Sequence, residues 1–312
     1  MSDERQTRQQ SIAARRSKVR QLDLAPPAAP LHGFLERLPH QLAADSLRAL
    51  TQAIAEAHRR GRPVIVLMGA HVIKVGLTPV LIDLLRRGIV TAVGSNGATL
   101  VHDSELALFG HTSEDVESAL AEGTFGMTRE THEFVNGAIN AGAAEGLGLG
   151  AAVGKALAEA DAPYAEHSLL AQSWRLGRPL TAHVAIGTDI LHMHPTADGA
   201  AIGAGSLRDF HCLTNRLGDL GDGGVLLNVG SAVIMPEVAL KAFALLRARG
   251  VDLSGFTSAD LDMIRHYRPT QQIVRRVQAL GGQGYAITGH HEIMIPLLAG
   301  CVLAEIAADP AG

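Results

Sequence analysis

Cysteine and aromatic residues are scarce in this sequence. Among 312 residues only Cys212 and Cys301 are cysteines, too few and too far apart for a disulfide framework or a cysteine-ligated zinc site. A reducing compartment fits this composition best, and we expect a cytoplasmic protein. Aromatic residues make up 4% of the chain, so the sequence offers no obvious large anchor for a partner.

Basic charge and long apolar runs are scarce as well. The formal net charge is -4 at pH 7, which argues against a protein that binds nucleic acid through charge. The longest apolar run, residues 293–304, contains Pro296 and is shorter than the roughly 20 residues that cross a bilayer. We therefore expect neither a nucleic-acid partner nor a membrane span.

Short apolar runs that alternate with amphipathic segments fill most of the chain. The apolar, β-branched runs predict strands at residues 63–68, 89–93, 181–186, 224–229 and 284–288. Helical patterns begin near Asp45, cover residues 78–87 and 236–249, and begin again near Glu292. Buried strands that alternate with helices are typical of a parallel sheet covered on both faces. We predict an α/β fold with a doubly wound, mostly parallel sheet.

The amino-terminal residues differ in composition from the rest. Residues 1–30 combine a basic arm with a proline-rich linker, whereas residues 31–312 carry the periodic patterns. Between about 112 and 176 the pattern is largely helical. We predict a single α/β domain over residues 31–312, with a helical insertion at about 112–176.

Polar and glycine residues follow nearly every predicted strand. In an open parallel sheet, ligands bind at the carboxyl ends of the strands, where helix N-termini point inward. The candidate site residues there are Lys74, Asn96, Gly97, Ala98, His102, Asp103, Thr188, Asp189, His192, His194, Gly230, Ser231, His290 and Glu292. We expect a binding or catalytic site at this edge.

Histidine and lysine supply most of the chemistry at this edge. His192, His194 and His290 suit proton transfer near a substrate. The same imidazoles together with Asp189 would suit zinc or manganese, so a metal site is the alternative. Lys74 is the only lysine at this edge and suits an anionic substrate group or an imine.

Adjacent residues on a helix cannot both point the same way. We therefore expect one of His102 and Asp103 to face the site and the other to cap a helix or orient another group. The common phosphate-binding motifs are absent, since the glycines between 146 and 154 miss the Gly-x-Gly-x-x-Gly spacing and no Walker loop occurs. An ordinary Rossmann dehydrogenase or P-loop NTPase is disfavoured.

Residues 75–79 and 87–88, followed by the Asn-Gly-Ala-Thr-Leu-Val-His-Asp segment at 96–103, resemble deoxyhypusine synthase and its prokaryotic relatives. The resemblance covers residues 63–110 and continues more weakly over 187–304. The segment is also similar to the nicotinamide-dependent ornithine cyclodeaminase group. The resemblance implies an NAD-binding α/β fold, a homotetramer with sites at subunit interfaces, and transient hydride transfer on an amine.

The same resemblance suggests roles for particular residues. It implies that Asn96, Gly97 and Ala98 contact the cofactor and that His102 and Asp103 lie near the site. Four further candidates for cofactor contact rest only on their position at the carboxyl edge. They are Thr188, Asp189, Gly230 and Ser231.

One departure from the family is large. Deoxyhypusine synthases carry an imine-forming lysine in a tryptophan-glycine-lysine context, but here no lysine follows Lys241 and the only tryptophan is Trp174. Aminobutyl transfer through that lysine is therefore not available. The corresponding region offers His290, His291 and Glu292, which suit proton transfer or metal binding.

The sequence thus predicts an NAD-dependent enzyme that acts on a small amine-bearing substrate, by transferase- or lyase-type chemistry. Two alternatives remain open. One is a metal-dependent hydrolase or lyase built on Asp189, His192, His194 and His290. The other is a protein that binds a nucleotide and has lost the chemistry.

Overall fold

The computed structural model describes residues 31–308. The arm and linker predicted for residues 1–30 lie outside the described residues. The α-helices are α1 (Leu31–Arg37), α2 (Leu42–Arg59), α3 (His71–Lys74), α4 (Thr78–Arg86), α5 (Gly97–Phe109), α6 (Val116–Glu122), α7 (Arg129–Ala144), α8 (Leu149–Glu159), α9 (Leu169–Arg175), α10 (Gly199–Leu217), α11 (Ile234–Ala248), α12 (Tyr267–Pro269), α13 (Arg276–Ala279) and α14 (His291–Ala308). Short 3-10 helices cover Ala165–His167 and Ile190–Met193, and a π-helix covers Thr270–Arg275.

Six parallel strands form one sheet. They are β1 (Val64–Met68), β2 (Ala92–Asn96), β3 (Leu180–His183), β4 (Val225–Val229), β5 (Thr257–Asp262) and β6 (Gln283–Thr288). Their order is β3-β2-β1-β4-β5-β6, and every neighbouring pair is parallel. The chain moves outward from β1 to β3, crosses to β4 and moves outward again, which is the doubly wound order. The predicted fold class is confirmed.

Alternation of side chains along β1 explains why its sequence is apolar throughout. Val64, Val66 and Met68 enter the core that contains α2, α4 and α14, whereas Ile65 and Leu67 enter the core under α11. All five side chains are buried. A central strand with helices on both faces needs apolar residues at every position.

Three strand predictions were wrong in detail. Strand β3 ends at His183, three residues before the predicted end. Strand β5 was missed, because Ser258, Asp260 and Asp262 alternate with smaller or apolar residues and no continuous apolar run marks it. Strand β2 begins at Ala92, three residues later than predicted, because the backbone N–H groups of Ile89 and Val90 donate to the end of α4 instead of to the sheet.

Helices α6 to α9 occupy the segment between β2 and β3. Helix α7 packs on α5, α8 and α10, and α8 packs on α9 and β3. These helices lie in the segment predicted as a helical insertion, and the division into one domain with an insertion stays a prediction.

Helix α14 is long and apolar. It has 18 residues with a mean hydropathy of 1.6, so by length and composition alone it could cross a membrane. Core helices of soluble proteins have the same character, and α14 packs against α2, α4 and β5 with 33% of its residues buried. The absence of a membrane span and the cytoplasmic location stay predictions.

The first turn of α8 lies directly against β3. A Cβ added to Gly150 would lie 2.0 Å from the carbonyl oxygen of Leu180, which is backbone and cannot move aside easily. We expect Gly150→Ala to lower the free energy of unfolding by about 1–3 kcal/mol through overpacking. Urea denaturation monitored by circular dichroism measures this change in the free energy of unfolding.

The matched control is Gly137→Ala on α7, where an added Cβ meets nothing within 4 Å. There the better helix propensity of alanine should raise the free energy of unfolding by up to about 1 kcal/mol. If both variants were equally stabilised, the close approach of α8 to β3 would be refuted.

Candidate functional site

A cavity of about 200 Å³ lies at the carboxyl edge of the sheet, beside the first half of α5. Five of the candidate residues line it, namely Lys74, Ala98, His102, Thr188 and Asp189. Four further polar residues that the sequence analysis did not select, Glu105, Ser113, Glu114 and Thr128, also line it. We call this space the acidic cavity, because it combines three carboxylates with a single lysine.

A chain of hydrogen bonds fixes the wall formed by α5. The Nδ1 atom of His102 lies 2.7 Å from the hydroxyl of Thr112, which donates to Glu105. The other oxygen of Glu105 accepts from Thr131 at 2.9 Å. His102 and Glu105 are one helical turn apart, so they share a face of α5. This spacing was the signal that could have identified Glu105.

His102 lies in an environment that favours its neutral form. Partial burial lowers the pKa of His102 first, and the nearby charge of Lys74 lowers it further, while Glu105 opposes the shift. No hydrogen bond engages its Nε2 atom within residues 31–308. At neutral pH this imidazole can therefore accept a proton.

Asp189 lies at the N-terminus of α5. Its carboxylate accepts a hydrogen bond from the backbone N–H of Ala98. A Cβ added to Gly97 would lie 2.4 Å from its Oδ2 atom, so glycine is required there by the carboxylate. Burial raises the pKa of Asp189 from its usual range, although the charge of His192 and the hydrogen bond from Ala98 oppose the shift.

This arrangement bears on the expected cofactor contact. Asn96, Gly97 and Ala98 were expected to approach the cofactor, and a helix N-terminus after a strand commonly receives a phosphate. Here an internal carboxylate lies at the N-terminus of α5. A phosphate would meet like charge at this point, and cofactor contact by these three residues stays a prediction.

The side chain of Asp103 does not face the acidic cavity as that of His102 does. It is fully buried and accepts hydrogen bonds from the Ser168 hydroxyl at 2.6 Å and from the backbone N–H groups of Leu169 and Leu170 at 2.9 and 2.8 Å. Its carboxylate therefore caps α9, and burial raises its pKa. One of the two neighbours faces the cavity and the other caps a helix, so a catalytic role for Asp103 has no geometric support.

The two histidines after β3 point in different directions. The Nδ1 atom of His192 accepts from the backbone N–H of Gly187 at 3.2 Å, and the residue lies beside Asp189. The ring of His194 instead stacks on buried His132 with centroids 4.9 Å apart. Only His192 remains close to the acidic cavity.

His290 and Glu292 lie far from these histidines. They follow β6, whereas His192 and His194 follow β3, and these strands are the two edges of the sheet. Five strand spacings place the two loops on the order of 24 Å apart. Both side chains are exposed, and His290 lies 3.7 Å from Glu292.

The four side chains that the metal alternative requires therefore do not lie together. It needed His290 to join His192, His194 and Asp189, and the sheet order separates them. Within residues 31–308, no group of three or more histidine, cysteine or carboxylate side chains is arranged to hold a metal ion.

Gly230 and Ser231 lie where β1 and β4 diverge, and this point is closed by packing. A Cβ on Gly69 would lie 2.4 Å from the carbonyl oxygen of Gly230, and one on Gly230 would lie 2.5 Å from the ring of His291. Ser231 is buried and accepts from the backbone N–H of Met235. Cofactor contact by these two residues stays a prediction.

A buried polar cluster that the sequence analysis missed lies behind this point. Asn228 donates to Asp260 at 2.8 Å, and burial raises the pKa of Asp260 to about 6. His291 is 1% exposed and lies 3.9 Å from Asp262. Both aspartates belong to β5, so the missed strand concealed the cluster.

A larger crevice of about 600 Å³ opens between α10 and α11 at the carboxyl end of β3. Its walls are mainly apolar, with Ile186 and Leu207 among them, and Lys241 lies at one side paired with Glu237. His183 also lines it, and burial lowers the pKa of this imidazole to about 4, so it is neutral. The volume lies in the range of ligand sites.

The crevice and the acidic cavity meet at one glycine. A Cβ on Gly97 would lie 3.0 Å from Val184, which lines the crevice, and 2.4 Å from Asp189, which lines the cavity. Two ligands bound in these spaces would therefore lie on either side of the end of β2.

The role of Asp103 can be tested by Asp103→Ala. The substitution leaves a buried hydroxyl and two backbone N–H groups without an acceptor, so we expect the free energy of unfolding to fall by about 3 kcal/mol or more. Asp115→Ala is the matched control, because Asp115 caps α6 in an exposed position and should cost far less. Denaturation midpoints report both, and equal losses would contradict the buried cap.

Comparison with known proteins supports the fold. No protein-family model and no curated protein matches the sequence. A conserved LOR/SDH protein from Methanococcus maripaludis S2 matches with a TM-score of 0.51 and 15% identity, over 90% of this chain and 72% of that chain. AgrE in a ternary complex with ornithine and NAD+ matches with a TM-score of 0.51 and 16% identity, over 85% of this chain.

AgrE bound to L-arginine gives a similar result, with a TM-score of 0.50 and 15% identity over 87% of this chain. The match covers 33% of AgrE in the ternary complex and 35% in the arginine complex, so this chain spans about a third of AgrE. At these identities the chain shares a fold with both proteins, a doubly wound α/β sheet.

Proposed function

We propose that this protein is an NAD-dependent enzyme that acts on a small amine-bearing substrate, with an amino acid as the best candidate, and that it is not a deoxyhypusine synthase. The observation that carries the proposal is the composition of the acidic cavity, which joins three carboxylates, one lysine and a neutral imidazole beside a larger apolar crevice.

The charges of the acidic cavity suit a zwitterion. Glu105, Glu114 and Asp189 attract a substrate ammonium group, and Lys74 attracts a carboxylate. Glu114 also accepts from the backbone N–H of Gly126 at 2.8 Å, so the loop before α7 holds it in place. A volume of about 200 Å³ limits the substrate to a small molecule.

His102 is suited to remove a proton from the substrate nitrogen. Oxidation of an amine to an imine takes a hydride from carbon and a proton from nitrogen, and a neutral base must accept that proton. A bound nicotinamide dinucleotide supplies the hydride acceptor. Hydrogen bonding to Thr112 holds the imidazole in place through Nδ1 and leaves Nε2 for the substrate.

The crevice between α10 and α11 fits the dinucleotide better than the N-terminus of α5 does. Its apolar walls suit flat rings, and the ion pair of Lys241 with Glu237 supplies polar groups at one side. Gly203 lines it, and a Cβ there would meet nothing within 4 Å, so the helix leaves open space for a ligand. Loop residues Val184 and Asp189 place this space next to the acidic cavity.

The AgrE complex supports the choice of ligands. That protein was crystallised with ornithine and NAD+, and this chain shares the fold of about a third of it. Assembly as a homotetramer and a transferase-type outcome belong to the same proposal.

The proposed function predicts that the protein binds the cofactor. We expect NADH to bind the purified protein, and Gly203→Phe to weaken binding by at least about tenfold, because the ring would fill the crevice. Fluorescence titration measures both affinities. Gly137→Phe places the same substitution on an exposed helix face away from the crevice and should leave binding unchanged.

Failure of the wild-type protein to bind NADH or NAD+ would refute the cofactor. Binding that survives Gly203→Phe would move the cofactor to another surface, and tight binding with no hydride transfer from any amino acid would favour a nucleotide-binding protein that has lost the chemistry.

The proposed function also predicts that His102 accepts the substrate proton. With NAD+ and ornithine or arginine as substrates, His102→Gln should lower kcat by at least about a hundredfold with little change in KM. The activity of the wild-type protein should be lost as pH falls through the pKa of His102, which lies below its usual value.

Lys74→Met tests the electrostatic part of this prediction. Removal of the positive charge should raise the pKa of His102 and shift the acid limb of the kcat/KM profile to higher pH. An unchanged acid limb in Lys74→Met, or full activity in His102→Gln, would show that another group accepts the proton.

A further inference from the structure

A third cavity lies at the opposite, amino-terminal edge of the sheet, away from both spaces of the proposed active site. It has a volume of about 380 Å³ and is enclosed by the first turn of α8, the end of α9, the start of β3 and one face of α10. Four side chains give it chemical character, Ser173, Trp174, Arg178 and Arg216.

Two arginines line this cavity without a partner of opposite charge. Within residues 31–308, neither Arg178 nor Arg216 forms a side-chain hydrogen bond or an ion pair. Neighbouring arginines are engaged, since Arg86 donates to Gln172 and Arg175 donates to the carbonyl oxygen of Ala158. Two unpaired guanidinium groups at one cavity favour an anion, which arginine can bind with two parallel hydrogen bonds.

The remaining walls suit an apolar body attached to that anion. Trp174 is 39% exposed although it is the only tryptophan in the chain, and Leu170, Pro179 and Leu180 extend the apolar surface. Ser173 is 2% exposed, and its hydroxyl has no hydrogen-bond partner within residues 31–308. A buried hydroxyl without a partner is costly, so this wall of the cavity has an unmet polar group.

One carboxylate also lines the cavity, and its Oδ2 atom is engaged by two backbone amides. Asp209 accepts from the backbone N–H groups of Gly150 at 3.0 Å and Ala182 at 2.8 Å. A Cβ on Gly148 would lie 1.9 Å from its Oδ1 atom, so that oxygen lies against the N-terminus of α8. The acceptor capacity of Asp209 is thus directed at backbone amides and not at the arginines.

We propose that this cavity is a second ligand site, which binds a small organic anion whose carboxylate or phosphate group lies between Arg178 and Arg216 and whose apolar body lies against Trp174. The site is independent of the proposed activity, because it lies at the other edge of the sheet and shares no residue with the acidic cavity.

The rate of alkylation of Cys212 can show whether a ligand occupies this cavity. It lines the cavity and is partly exposed, whereas Cys301, the only other cysteine, is 1% exposed. Alkylation by the neutral reagent N-ethylmaleimide, followed by mass spectrometry, should therefore label Cys212 first. Benzoate and phenyl phosphate are the probes, and inorganic phosphate is the control anion without an apolar body.

We expect benzoate or phenyl phosphate to slow alkylation of Cys212 by about tenfold when present at ten times its dissociation constant. Arg216→Met and Arg178→Met should each weaken this protection by at least about tenfold, because each removes a charge-assisted hydrogen bond. Arg249→Met is the matched control, because Arg249 is an exposed arginine at the end of α11 that does not line the cavity.

Three results would overturn the proposal. The first is alkylation at the same rate with and without saturating benzoate and phenyl phosphate. The second is protection that survives both arginine substitutions, which would place the ligand elsewhere. The third is equal protection by inorganic phosphate, which would show that the apolar wall contributes nothing. Circular dichroism of each variant confirms that it folds, and loss of NADH binding with intact protection would refute only the proposed activity.

Discussion

Aspartates that cap helices from distant parts of the chain are the interaction on which this structure depends. Asp103 on α5 caps α9, Asp189 after β3 caps α5, and Asp209 on α10 caps α8. Each carboxylate pairs with backbone N–H groups at the positive end of a helix dipole, which offsets the cost of its burial. Together these contacts join the sheet edge at β3 to the helices between β2 and β3.

Helix capping by aspartate also affects the charge of the cavities beside the capped helices. At the N-terminus of α5 the capping carboxylate adds to the acidic character of the adjoining cavity. At the N-terminus of α8, Asp209 bonds to backbone amides, and within residues 31–308 no carboxylate pairs with the two arginines of the neighbouring cavity. The charge distribution of both spaces therefore depends on the way in which the helices are capped.

The sequence was sufficient to predict the sheet class and most strands, because a central strand buried on both faces must be apolar throughout. It was insufficient for β5, because Asp260 bonds to Asn228 of β4 and Asp262 lies beside His291 of α14, and neither partner can be read from the local pattern. Sequence order likewise could not show that His290 and His192 follow opposite edge strands. Adjacency along one edge of a sheet depends on strand order, which is set by crossover connections and not by local pattern.

The contact between Gly97 and Asp189 has an evolutionary consequence. A helix N-terminus with a glycine before it is an anion site in many α/β proteins, and here a single side chain from another loop fills it. Replacement of that one aspartate by a small neutral residue would leave the backbone amides of α5 open to a phosphate. A single substitution would thus change the charge at this helix terminus, without any change in the fold.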